Sequence, residues 1–164
     1  MIFKNLEEKF GITIPSDFKL FQKLIELNNP LAEYFDPKEN FSFRCTKWLA
    51  FVDKKVRIDM FFHSSSLEDH WRRQLVMWGS LDYLPFGSLV MPYSGQLLYS
   101  NLQGDLGKIY YTETGTRKPI YLASDLFVFV ESLKIEYSND QQKMFSSLYK
   151  NWGEGFWRIR EDLQ

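Results

Sequence analysis

The chain has 164 residues, 45% hydrophobic and 18% aromatic, with a single cysteine and 20 Lys+Arg against 21 Asp+Glu, a net charge of -1. These values exclude a disulfide-stapled scaffold and a disordered polyelectrolyte, and they remove any general attraction for nucleic acid or an anionic membrane. A chain of this length buries ~70% of its unfolded surface, enough for one domain around one core.

The opening MIFKNLEEKF places Ile2, Leu6 and Phe10 at i, i+4 and i+8, with Gly11 where a helix would end. Its acids stand where a secretion signal needs an apolar run, so a cytoplasmic setting is expected. The uncharged run between Arg73 and Asp82 is far too short to span a membrane, and the longer one between Asp82 and Asp105 is broken by Pro85, Gly87, Pro92 and Gly95. Pro15, Ser16 and Asp17 then open a second helix. Its apolar stripe is Phe18, Phe21, Leu24 and Ile25, widened by Leu20 and Leu27, and Asn28-Asn29-Pro30 stops it.

Residues 31–40 read as an irregular connection. FSFRC alternates like a strand, whereas TKWLAFV fits either a buried strand or a helical turn. Ile58, Met60 and Phe62 alternate with Asp59 and His63, which predicts a strand buried on one face. Ser65 and Ser66, followed by Glu68 and Asp69, predict a capping box for a helix. Leu67, Trp71, Leu75 and Trp78 form its inward stripe, and Gly79 ends it.

Between Arg73 and Lys108 the only charges are Asp82 and Asp105, so this stretch is expected in the interior. FGSLVM, GQLLYSN and GKIYYTE are strand-length and separated by turn-rich segments. PIYLA is a further short strand or lead-in. Ser124-Asp125 caps a helix with Leu126, Phe127, Phe129, Val130 and Leu133 inward, and a last helix starts near Asn139. The fold class that follows is α+β in a single domain. It has N-terminal helices over residues 1–30, then a mainly antiparallel sheet over 41–122 with an inserted helix near 66–78, then C-terminal helices over 124–164.

Chemistry candidates are few. Gly87, Gly95, Gly104 and Gly107 are spaced for turns, and Ile109 stands where a phosphate loop needs Ser or Thr after Gly-Lys. FFHSSSLEDHW gathers His63, Ser64, Ser65, Ser66, Asp69 and His70 without a nucleophile-elbow motif; a strand end and a helix cap explain it structurally. A hydrolase using His63, Asp69 and His70 stays open as an alternative. The two histidines, seven residues apart with no second cysteine, do not form a metal-ligand pattern. Lys54, Lys55 and Arg57, and the pair Arg72-Arg73, are flanked by acids and read as solvated faces. Cys45 reads as a small buried residue.

Three segments bear a family likeness. LEEKFGITIPSDFKLFQKLIELNN, LPFGSLVMPYSGQLLYSNLQGDLGKIYYTE and YLASDLFVFVESL resemble the SUKH superfamily's paired opening helices, glycine-punctuated central strands and closing Ala-Ser helix. That superfamily includes the yeast cell-wall assembly regulator, bacterial Syd and many bacterial immunity proteins. The resemblance implies a non-catalytic binding module, with no catalytic, metal or cofactor site. Its expected role is an immunity (antitoxin) protein that neutralises a cognate polymorphic toxin, such as a nuclease, by direct contact. The alternative within the superfamily is a cytoplasmic adaptor docking on an endogenous partner. The implied partner is a protein, with no direct contact to nucleic acid or membrane, and the chain is expected as a monomer or weak homodimer. Partner contact is expected around the central turns, at Asp82, Tyr83, Tyr93, Gln96, Asp105 and Glu113.

Overall fold

The computed structural model describes residues 1–27, 35–36, 42–51, 57–89, 95–113, 115–131 and 133–135. Helix α1 (Ile2–Phe10) buries Leu6 and ends at Gly11, whose φ of 63° lies in the left-handed region and whose N–H returns to the Glu7 carbonyl. Helix α2 (Ser16–Leu27) buries Phe18 and Phe21 fully, as its stripe predicts. Glu7 locks the turn between them. One of its oxygens accepts the Ile14 N–H at 2.8 Å and pairs with Lys19 at 2.8 Å. The lysine, then the Ile14 N–H, hold the Glu7 carboxyl below its usual range.

The remaining elements are β1 (Phe35–Asp36), β2 (Ser42–Phe51), β3 (Arg57–Phe62), α3 (Ser64–Trp78), β4 (Tyr83–Leu89), β5 (Gln96–Ser100), β6 (Ile109–Tyr111), β7 (Ile120–Ala123), α4 (Leu126–Glu131) and β8 (Leu133–Ile135). The strands form one sheet of order β1-β2-β3-β4-β5-β6-β7, with β8 also pairing β2. Every pairing among the described strands is antiparallel. The architecture is α+β, with helices leading into an antiparallel sheet.

Several details differ from the sequence reading. The expected irregular connection contains β1, which pairs Phe35 with Cys45 on β2. TKWLAF is strand, since β2 runs to Phe51, and Val52 lies outside the described residues. Leu133 belongs to no helix: α4 stops at Glu131, and Leu133–Ile135 pairs with Leu49–Phe51 instead. The physical reason is that β2 has an edge open beyond β1, and Leu-Lys-Ile alternates as a strand requires. The helix expected from Asn139 lies outside the described residues.

Helix α3 starts two residues earlier than the capping box predicts, and His63 is its N-cap. The imidazole Nδ1 accepts the Ser65 N–H at 3.2 Å, and the Ser66 hydroxyl donates to the His63 carbonyl at 2.9 Å. Leu67 and Trp71 are fully buried, but the predicted stripe fails in the last turn. Leu75 is 41% exposed, Val76 81% and Met77 56%.

An aromatic cluster forms the core. Phe86 on β4 meets Phe18, Phe21 and Phe129 edge-on at 6.2, 5.6 and 5.7 Å, and stacks near Phe61 at 6.4 Å. Trp71 packs on Phe10 and Phe18, and its indole N–H donates to the Pro85 carbonyl at 3.0 Å. Both faces of β3 are covered near its end, which one-sided alternation did not foresee. Phe61 points into the cluster, while Phe62 lies flat against His70 with ring centroids 3.5 Å apart.

Gly104 and Gly107 have positive φ in the β5–β6 loop, as turn glycines should. Gly87 and Gly95 are different. Gly87 lies within β4, where a Cβ would come 2.8 Å from the Met60 carbonyl oxygen, and a Cβ on Gly95 would lie 1.3 Å from that of Thr112. They permit close backbone approach.

Candidate functional site

The end of α3 builds the first part of the site. Gly79, with φ of 77°, stops the helix, and the chain turns through Ser80–Asp82 into β4. The Ser80 hydroxyl donates to Asp82 Oδ2 at 2.9 Å, and the Asn101 N–H donates to the Asp82 carbonyl at 2.7 Å. These bonds fix Tyr83 as the first residue of β4, where Trp78 meets it edge-on at 6.0 Å.

Register then assembles a row of rings. Tyr83 pairs with Ser100 on β5, Leu98 of β5 pairs with Tyr110 on β6, and Tyr110 pairs with Tyr121 on β7. A whole strand separates Tyr83 from Tyr110, yet their ring centroids are 5.4 Å apart at 80°. The rings therefore lean toward each other across β5, whose Leu98 and Ser100 are fully buried. Tyr110 and Tyr121 follow at 5.8 Å and 78°. Trp78, Tyr83, Tyr110 and Tyr121 form one series of near-perpendicular rings, and Tyr121 at its end is 45% exposed.

Carboxylates flank the row. Asp105, on the loop between β5 and β6, accepts the Tyr110 hydroxyl at 2.6 Å and pairs with Lys108 at 2.7 Å. Hydrogen bonds from Lys108 first and Tyr110 second hold the Asp105 carboxyl below its usual range. Burial, then the bond to Asp105, pushes the Tyr110 hydroxyl well above the ordinary phenol range. Tyr83 is raised by burial, then by the charges of Asp105 and Asp82.

A shallow hollow of about 230 Å³ adjoins the row. Met77 and Trp78 line one side, and Gln96, Thr112 and Glu113 line the other. The Gln96 N–H donates to the Thr112 hydroxyl at 3.2 Å, and the Thr112 N–H to the Gln96 carbonyl at 3.0 Å, so the far wall is a rigid strand end. Trp78 belongs to both parts and joins them.

The structure thus brings Asp82, Tyr83 and Asp105 together at the ring row, and Gln96 and Glu113 at the hollow. Tyr93 lies outside the described residues. Sequence reasoning missed Trp78, Tyr110 and Tyr121 as site residues. For Tyr110 the signal was present: alternation along IYY sends it to the face opposite the buried Ile109 and Tyr111.

The residues of the hydrolase alternative each have a local structural partner. His63 caps α3, with Nδ1 also 2.8 Å from the Ser65 hydroxyl. Asp69 is exposed and pairs with Arg72 at 3.4 Å. His70 stacks on Phe62, and burial, then the nearby Arg73, lowers its pKa to about 4. Among the described residues no group of three His, Cys, Asp or Glu is placed to hold a metal ion. No described helix is long and apolar enough to cross a membrane.

Compared with known proteins, the chain matches no family model and no curated protein.

Proposed function

We propose that this chain is a non-catalytic binding protein that neutralises a cognate toxin in the cytoplasm by stoichiometric contact, the role its SUKH-like segments imply. Its contact face is the ring row and the adjoining hollow. The observation that carries this reading is the series Trp78–Tyr83–Tyr110–Tyr121, polar aromatics held at the surface by strands with carboxylates beside them. Tyrosine and tryptophan dominate binding hot spots because each offers a large, stiff contact area with a polar tip. Three of the four sit on paired strands, so little ordering entropy is lost on binding. From β4 to β7 the row covers about 14 Å at ~4.8 Å per strand, a suitable centre for an interface of ordinary size.

The test is co-expression of the chain with the toxin-like product of its neighbouring gene. Neutralisation with a one-to-one complex is expected, and Tyr110→Ala should weaken that complex by about 2 kcal/mol, roughly 30-fold in Kd. Continued toxicity without a complex refutes the reading.

A further inference from the structure

We infer that the partner's anchor on this face is an arginine on a protein loop, seated against Tyr83 with its guanidinium at Asp82. The inference rests on the proposed contact face and names the chemistry that face selects.

The ring geometry comes first. Tyr83 has Trp78 on one side at 66° and Tyr110 on the other at 80°. Successive perpendicular rings present edges and electron-rich faces in turn along the row, and a ring face open to solvent attracts a cation. Two acids stand beside the row: Asp82 directly precedes Tyr83 in the chain, and Asp105 accepts the Tyr110 hydroxyl at 2.6 Å.

Charge supplies the second argument. Asp82 is exposed, and its carboxylate accepts only the Ser80 hydroxyl among the described residues, with no ion pair. Glu113, on the far side of Trp78, is likewise exposed without an ion pair among them. The chain's own Lys108 shows that this environment takes a cation, for its ammonium sits 2.7 Å from Asp105 and its charged form is favoured by that contact. Lys108 is taken up by Asp105, whereas the exposed carboxylates of Asp82 and Glu113 have no ion pair among the described residues.

Arginine fits better than lysine. Its planar fork lies on a tyrosine ring while presenting two N–H groups to one carboxylate, whereas an ammonium is compact and strongly hydrated.

The probe is Nα-acetyl-argininamide, titrated at millimolar concentration while the tyrosine ring and Asp82 signals are followed by NMR. The neutral isostere Nα-acetyl-citrullinamide is the control. Saturable shifts centred on Tyr83 and Asp82 are expected with the arginine compound, at least tenfold weaker with citrulline or in Asp82→Asn. Asp82 is exposed, so that variant should keep the wild-type backbone spectrum. Equal shifts from both compounds, shifts centred elsewhere, or none from either overturn the inference. The toxin complex separates this inference from the reading beneath it. A complex that forms on this face but binds Asp82→Asn unchanged refutes the arginine anchor alone. A complex that leaves the face uncovered in hydrogen exchange refutes the contact face itself.

Discussion

Phe86→Ala is the sharpest test of how the core is organised. Phe86 is fully buried and touches four other rings, three of them edge-on. Truncating a buried phenylalanine costs about 3–5 kcal/mol through lost transfer energy and the cavity left behind. Each well-oriented aromatic pair adds ~0.5–1.5 kcal/mol beyond area. With strands on both sides of β4 the cavity cannot collapse, so the expected loss is about 4–5 kcal/mol, the upper end of that range. That is a quarter or more of the roughly 5–15 kcal/mol that stabilises a domain, and it lowers Tm by roughly 8–20 °C at this chain length. Phe86→Leu keeps most of the volume and should cost about 1–2 kcal/mol. Tyr121→Ala, at the exposed end of the ring row, should cost under about 1 kcal/mol. Urea unfolding followed by near-ultraviolet circular dichroism measures all three. A loss below about 2 kcal/mol for Phe86→Ala, or one equal to that of Tyr121→Ala, refutes the assignment of Phe86 as the hub.

Gly95→Ala should cost about 3 kcal/mol or more, because its Cβ would overlap the Thr112 carbonyl and force apart the backbone that pairs Gln96 with Thr112; thermal melting checks this. His70 takes its proton only at about pH 4 in the folded chain, against 6.5 when unfolded, so the unfolded state binds more protons between those values. Stability therefore falls as pH falls through that window, by about 1–2 kcal/mol once partial solvent access is allowed for, and His70→Phe should flatten the profile. Asp17 behaves oppositely. Burial, opposed by the Tyr99 hydroxyl bond at 2.7 Å, raises its carboxyl above 3.8, so its ionised form is a cost to the folded state. Asp17→Asn keeps an acceptor for Tyr99 and should be more stable than wild type at neutral pH, the advantage vanishing below pH 3.8 in acid-unfolding curves.

Much of the fold was legible because local and tertiary preferences agree there. Gly11 and Gly79 end their helices in the left-handed conformation, and Asp125 caps α4 by accepting the Val128 N–H at 2.8 Å. The failures fall where tertiary pairing decided the outcome. Leu133–Ile135 had helical neighbours in sequence but a strand edge beside it in space. Gly87 and Gly95 looked like turn residues because spacing cannot show which carbonyl presses against a strand. The stripe on α3 failed at Leu75 because its count assumed that the whole helix packs, whereas the last turn carries Leu75, Val76 and Met77 into solvent.

The site was half legible for a related reason. Polar residues at turns are where a partner could reach, and that expectation named Asp82, Tyr83, Asp105, Gln96 and Glu113, which the structure gathers along the ring row and the hollow. The rings that join them come from strands and a helix end, where an aromatic residue in sequence reads as core. Hydroxyl partners separate the two roles in the structure. On the inner face Tyr99 donates to Asp17 at 2.7 Å and is almost wholly buried, so its hydroxyl is committed to holding β5 against α2. Tyr110 is committed to Asp105, which fixes the loop. Tyr83 donates to no side chain among the described residues, though burial and two carboxylates act on its hydroxyl. A phenylalanine there would pack against Trp78 and Tyr110 equally well. What the hydroxyl adds is a half-buried polar group at the middle of the row, and the proposed contact face would give it a use.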